Sequence, residues 1–201
     1  MVNASYHKNS AEETDEVLAE KSRNDEFAYA NLVERYEKKL MRYIMRIGIF
    51  SKEDAEEILQ EVFIKAYENI EDFDFRLKFS SWIYRIAHNE AVSRIRHDAS
   101  RNILSQDEFD EVADKIVDET SFEEHIDKKI LAEEVRAIIR AMDQKYRDVI
   151  ILRFLENKEY QEISDILKKP PGTVATLLNR AKEKLKKEVA SHPTLSSLWN
   201  H

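Results

Sequence analysis

Residues 159–185 read EYQEISDILKKPPGTVATLLNRAKEKL, and the fold is decided there. In the first part, Tyr160, Ile163, Ile166 and Leu167 recur at the spacing of one buried helix face, predicting a helix from Glu159 to Leu167. KKPPG follows, a turn in which two prolines remove backbone donors. From Thr173, a natural helix start, Val174, Leu178, Ala181 and Leu185 step by 4, 3 and 4 and face inward. Thr173, Thr176, Arg180, Lys184 and Lys187 face away, with Asn179 and Lys182 on the flank. Two short helices about a tight turn, the second one basic, make a helix-turn-helix arrangement. The start of such a second helix reads base edges in a major groove, and its later lysines hold phosphates. A helical hairpin with a solvated lysine face has the same periodicity. The turn, the threonine cap and a net charge of +6 over residues 168–187 together favour DNA.

Working outward, Ile130, Val135, Ile138, Ile139 and Met142 mark a preceding helix, and Tyr146, Val149, Ile150 and Phe154 another, giving a module over residues 122–190. In 201 residues there are 2 glycines and 3 prolines, too little turn chemistry for a sheet, so the chain is expected to be all-α, with two small domains. With no cysteine, disulfides and thiolate metal sites are excluded, and the six histidines include no pair at helical i, i+4 spacing. No phosphate-cradling glycine loop is present either, so neither a catalytic constellation, a metal site nor a cofactor is expected. There is neither a signal-peptide core nor an apolar run of spanning length, which predicts a soluble cytoplasmic chain without membrane insertion.

The net charge of −8 looks wrong for a DNA-binding protein. Its distribution resolves the conflict, because residues 97–127 carry −9 and everything outside them sums to +1. An acidic linker over residues 98–121 thus joins two neutral or locally basic modules, with a 1–13 extension and a 191–201 tail that holds Trp199. The linker reads equally as a flexible tether or as a carboxylate strand for a basic channel in a partner.

The first module, residues 14–97, opens with a short helix over 14–22 and a turn at Asn24. Asp25 is placed to cap a helix with Leu32, Tyr36, Leu40, Tyr43 and Ile47 inward until Gly48 ends it. Ser51 and Asp54 resemble a capping box opening a helix to about Asn69, with Ala55, Ile58, Leu59, Val62, Phe63, Ala66 and Ile70 inward. Residues 71–80 have no sustained period and read as a loop. The helix over residues 79–97, FSSWIYRIAHNEAVSRIRH, has Ile83, Tyr84, Ala87, Ala91 and Ile95 on its apolar face. Its reverse side carries Trp82, Arg85, Asn89, Ser93 and Arg96 in one stripe. Guanidiniums for phosphates, an indole for stacking and an amide for a base edge suit nucleic acid, although an ordinary solvated face with one half-buried Trp fits the spacing too.

Three segments in this order resemble the extracytoplasmic-function sigma factors, the two-domain group of the sigma-70 family. DAEEILQEVFIKAYENI at 54–70 is similar to the family's regions 2.1 to 2.2, KFSSWIYRIAHNEAVSRIR at 78–96 to regions 2.3 and 2.4, and EYQEISDILKKPPGTVATLLNRAKEKL to region 4.2. The resemblance covers residues 15–188 and implies a subunit that binds core RNA polymerase and directs it to promoter DNA. It implies polymerase contacts at Asp54, Glu57, Gln60, Glu61 and Lys65. It places the minus-ten element on the loop at about 72–80, with Arg76, Lys78, Phe79 and Ser80, and on Trp82, Arg85, Asn89, Ser93 and Arg96. Minus-thirty-five contacts fall on Thr173, Thr176, Asn179, Arg180, Lys182 and Lys184. It further implies a linker threading through polymerase, an anti-sigma factor as regulatory partner, and a free monomer. Where relatives carry basic residues between the Thr-Val and Arg-Ala of the last helix, this chain has Ala175 and Leu177, so those contacts do not carry over. A helix-turn-helix regulator that never touches polymerase is the alternative reading.

Overall fold

The computed structural model describes residues 13–49, 51–100, 125–192 and 195. Its eight α-helices follow the periodicities, and among the described residues there is no strand. Helix α1 (Asp15–Lys21) starts where the Thr14 hydroxyl accepts the Val17 N–H, and α2 (Glu26–Ile47) where the Asp25 carboxylate accepts that of Phe27. Each side chain satisfies one of the donors that a helix leaves open at its start. Gly48, at φ 129°, ends α2 in backbone geometry that side chains disfavour. A Cβ there would also stand 3.2 Å from the Ile95 side chain.

Helix α3 (Lys52–Glu68) is capped by Ser51, whose Oγ accepts the Asp54 N–H. The expected box is only half made, because the Asp54 carboxylate pairs with Arg94 instead. A short 3-10 turn (Ile70–Asp72) and an irregular stretch lead into α4 (Phe79–Ser100). Thus α4 runs three residues past the expected end of the first module. The rest of the acidic linker, the N-terminal extension apart from Glu13, and Trp199 lie outside the described residues.

The second module has α5 (His125–Ala141), α6 (Gln144–Ile150), α7 (Tyr160–Leu167) and α8 (Pro171–Ser191). Two expectations fail here for one reason. After Ile150 the chain widens into a π-helical turn (Ile151–Leu155), in which the Glu156 N–H donates to the Ile151 carbonyl. The wider turn shifts the helical phase, so Phe154 leaves the buried face of Tyr146 and Ile150 and is 53% exposed. Tyr160 at the start of α7 is 39% exposed rather than buried, and Arg153 stacks over its ring. Helix α8 begins two residues earlier than expected, at Pro171, so Thr173 lies inside its first turn and is not the cap. Proline suits that first position, where its missing N–H would lack a helical partner anyway.

One apolar core runs through both modules, from Leu32, Leu40 and Ile44 of α2 through Ile83 and Ala87 of α4 to Leu152, Ile163 and Val174. Helix α4 is the shared element, packing on α3 and α2 on one side and on α7 on the other.

Candidate nucleic-acid interface

The start of α4 is built on an aromatic cluster. The Phe73 ring lies 5.1 Å from Trp82 and 5.6 Å from Phe79, and Phe79 and Trp82 are 5.5 Å apart. Trp82 is 9% exposed and Phe79 1%. Both were expected to face nucleic acid, and both instead anchor the loop from beneath. The four-aromatic run Phe73, Phe75, Phe79 and Trp82 gives enough apolar surface to fold the irregular stretch onto itself. What the loop exposes is Arg76, Leu77 and Lys78. Arg76 holds Asp74 through paired N–H bonds at 2.9 and 2.8 Å, and this guanidinium pulls the Asp74 carboxyl down to about 2. Leu77 is 46% exposed, an apolar tip that sequence periodicity had no means of finding in a loop.

The loop is also tied from outside. The Arg23 guanidinium sits 4.3 Å over the Phe75 ring and donates to the Glu71 carbonyl at 2.5 Å. The Phe79 N–H donates to Glu16 Oε1 at 3.0 Å, so a carboxylate from α1 caps α4. Beyond the loop, Asn89, Ser93 and Arg96 are exposed along α4 and Arg85 is half-buried. Four members of the stripe therefore share a solvent-facing edge, without Trp82.

Lys78 and Ser80 meet the second module. Glu162 of α7 accepts from Ser80 Oγ at 3.4 Å and pairs with Lys78 Nζ at 3.3 Å. Deeper in, Glu156 accepts from Arg46 Nη1 at 2.6 Å and from the Tyr84 hydroxyl at 2.8 Å, while Lys158 Nζ lies 4.0 Å over the Tyr84 ring. Tyr84 was expected in the core of its own module; it is buried, but between the two modules. His88 Nδ1 stands 3.0 Å from the Tyr43 hydroxyl and its Nε2 3.8 Å from Asp148. Burial, helped by Lys169 and Arg96, pushes His88 down to about 4. Burial raises Asp148 to about 6 against the pull of its Gln144 hydrogen bond and of Arg147.

On the opposite side of α4, Arg94 bridges to Asp54 at 2.8 Å and Glu57 at 2.6 Å, and Glu90 pairs with Lys65 at 2.5 Å. These pairs tie the outer ridge of α3 to α4. Glu57, Gln60, Glu61 and Lys65 are exposed on that ridge and Asp54 is half-buried. Ile64 at 57% and Tyr67 at 45% exposure extend it with apolar surface that the search for inward-facing residues passed over.

In the helix-turn-helix, the Glu159 N–H donates to Glu162 Oε2 at 2.9 Å, one half of a reciprocal capping box on α7. Lys168 takes the left-handed conformation at φ 52°, and the Ser164 hydroxyl reaches across the turn to the Lys169 carbonyl at 2.6 Å. Val174, Leu178 and Ala181 are fully buried. Thr173, Thr176, Asn179, Arg180, Lys182 and Lys184 all lie exposed on α8, as the spacing predicts. Lys184 bends back over Tyr146 at 4.9 Å and toward Asp143 at 3.5 Å. Leu177, which replaces the usual basic residue, is half-buried against the core.

A helical module with a polar α4 edge, joined to a helix-turn-helix with an open basic reading helix, defines a DNA-binding protein of the transcription machinery. The pattern of sigma-70 region 2 matches residues 32–101, and that of sigma-70 region 4 matches residues 132–185. Over 172 residues the chain is 32% identical to the ECF RNA polymerase sigma factor SigW of Bacillus subtilis, spanning 83% of this chain and 91% of the relative. Its fold is shared with CnrH, solved in complex with the cytosolic domain of CnrY, at TM-score 0.66 and 22% identity over 89% of this chain and 99% of that one. A second solved chain is the sigma factor RpoE in complex with the anti-sigma factor NepR from Bartonella quintana, at TM-score 0.62 and 17% identity over 81% and 97%. The chain belongs to the extracytoplasmic-function group of the sigma-70 family. It is an alternative sigma factor.

Proposed function

We propose that three surfaces divide the work of initiation. The ridge of α3, with Glu57, Gln60, Glu61, Ile64 and Lys65, docks on core RNA polymerase. The loop carrying Arg76, Leu77 and Lys78, continued by Arg85, Asn89, Ser93 and Arg96 of α4, takes the separated strand of the minus-ten element. Helix α8 reads the minus-thirty-five duplex through Thr173, Thr176, Asn179 and Arg180, with Lys182 and Lys184 on phosphates. The observation that carries this reading is the pair of open polar edges on α4 and α8, each standing on a fully packed core. The energetics fit as well: opening a duplex costs a few kcal/mol per step, and a pocketed or stacked base returns about 1–3 kcal/mol.

The division into two modules at residues 14–100 and 122–190 follows the same reading. Regulation by an anti-sigma factor is supported by the solved sigma factor bound to one. No helix among the described residues is long and apolar enough to cross a membrane, which suits a factor acting on polymerase in the cytoplasm. The protein selects sites and performs no chemistry of its own. The test is transcription in vitro: the purified chain with core polymerase and genomic DNA gives discrete start sites. A helix-turn-helix regulator that never binds polymerase would give none.

A further inference from the structure

Lys78 and Ser80 are a cation and a hydroxyl at the lip of the strand-binding loop, the pairing that would hold a backbone phosphate. In the free chain both are taken by one carboxylate, that of Glu162. The same end of α4 is covered further by Glu156, which is held by Arg46 of α2 and Tyr84 of α4. These are not loose surface pairs. The side chains of Glu156 and Glu162 are only 5% and 12% exposed. A carboxylate so far from water needs its partners, because removing one leaves a charge that solvent does not reach. Both acids belong to the second module and all of these partners to the first, so the pairs hold the two modules together. Helix α8 takes no part, and its reading face stays open.

We propose that Glu156 and Glu162 form an intramolecular latch that stands in for phosphate on the strand-binding loop, so the free factor is closed to single-stranded DNA until its modules separate. This rests on the assignment of Lys78 and Ser80 to the minus-ten strand. A closed state occupied about nine times in ten would weaken the apparent affinity of the free chain for that strand about tenfold.

The sequence has no cysteine, so Glu37→Cys on α2 and Glu183→Cys on α8, both exposed, give a uniquely labelled pair for energy transfer between the modules. Glu156→Arg is set against Arg46 and Lys158. It is expected to lower the transfer and to raise affinity for a labelled single strand covering the minus-ten region of a promoter selected with the holoenzyme. The charge swap Arg46→Glu with Glu156→Arg should restore both values. If Glu156→Arg does not fold, Glu162→Gln gives the same readouts, since its amide oxygen still accepts the Glu159 N–H. Unchanged transfer, or lowered transfer with unchanged affinity, overturns the latch, as does a swap that restores neither. Lys78→Ala in the opened variant separates the two readings. Loss of strand affinity supports the loop assignment, and no loss refutes that assignment whatever the transfer shows.

Discussion

Arg23 and Glu16 show what single side chains from outside the loop do for it. Neither lies within the matched region 2 segment, yet one clamps Phe75 and Glu71 and the other caps α4. An exposed cation over an aromatic ring contributes about 0.5–1 kcal/mol, and a charge-assisted hydrogen bond about 1.5–3 kcal/mol. Arg23→Ala should therefore weaken capture of the minus-ten strand several-fold, read by promoter opening with permanganate, while binding to core polymerase is unchanged. Equal loss of both would make Arg23 a residue of general stability. The same scale shows what the sequence hid. The stripe on α4 was legible because Arg85, Asn89, Ser93 and Arg96 keep helical spacing. Trp82 shares that spacing but is turned under by Phe73 and Phe79, whose position depends on a loop without a period. Periodicity describes the phase of a helix and is silent about what folds over its end.

Among elements, α8 is the most faithfully written in the sequence, since buried Val174, Leu178 and Ala181 fix its rotation and leave every expected contact residue outside. Arg180→Ala should cost about 1–3 kcal/mol of upstream duplex binding if it meets a base edge, measured by footprinting with holoenzyme. Leu177→Ala should instead lower thermal stability and leave the footprint intact, because its side chain packs inward. The π turn after α6 was not legible. Its register depends on the Glu156 and Lys158 N–H groups reaching back to Ile151 and Leu152, bonds that leave no composition signal. That one extra residue per turn also aims Glu156 at Arg46, so the error in placing Phe154 and the missed contact between modules have a single origin.

For the whole molecule, His88 and Asp148 make the union of the modules a balance of two protons. His88 is held at about 4, below its ordinary 6.5, so its share of stability is present above pH 6.5 and is lost as pH falls toward 4. Asp148 is raised to about 6 from 3.8, so its share is present below pH 3.8 and is lost as pH rises through 6. The two oppose each other across the same window. Asp148→Asn should make the melting temperature fall more steeply than in the parent chain between pH 7 and pH 5, and His88→Gln should make it fall less steeply or rise. Parallel curves for both variants would mean that neither proton is tied to packing of the modules. None of this was visible from composition, where the acidic linker left the modules free to pack or to stay apart.

Glu162 uses its two oxygens for two different masters. Oε2 closes the first turn of α7 onto the Glu159 N–H, while Oε1 reaches out to Ser80, with Lys78 beside it. Releasing the outer oxygen leaves the inner one in place. The duplex reader is therefore mechanically deaf to whether its neighbour is docked: it parts from the first module as a finished rigid body, with no refolding step between an idle factor and a working one.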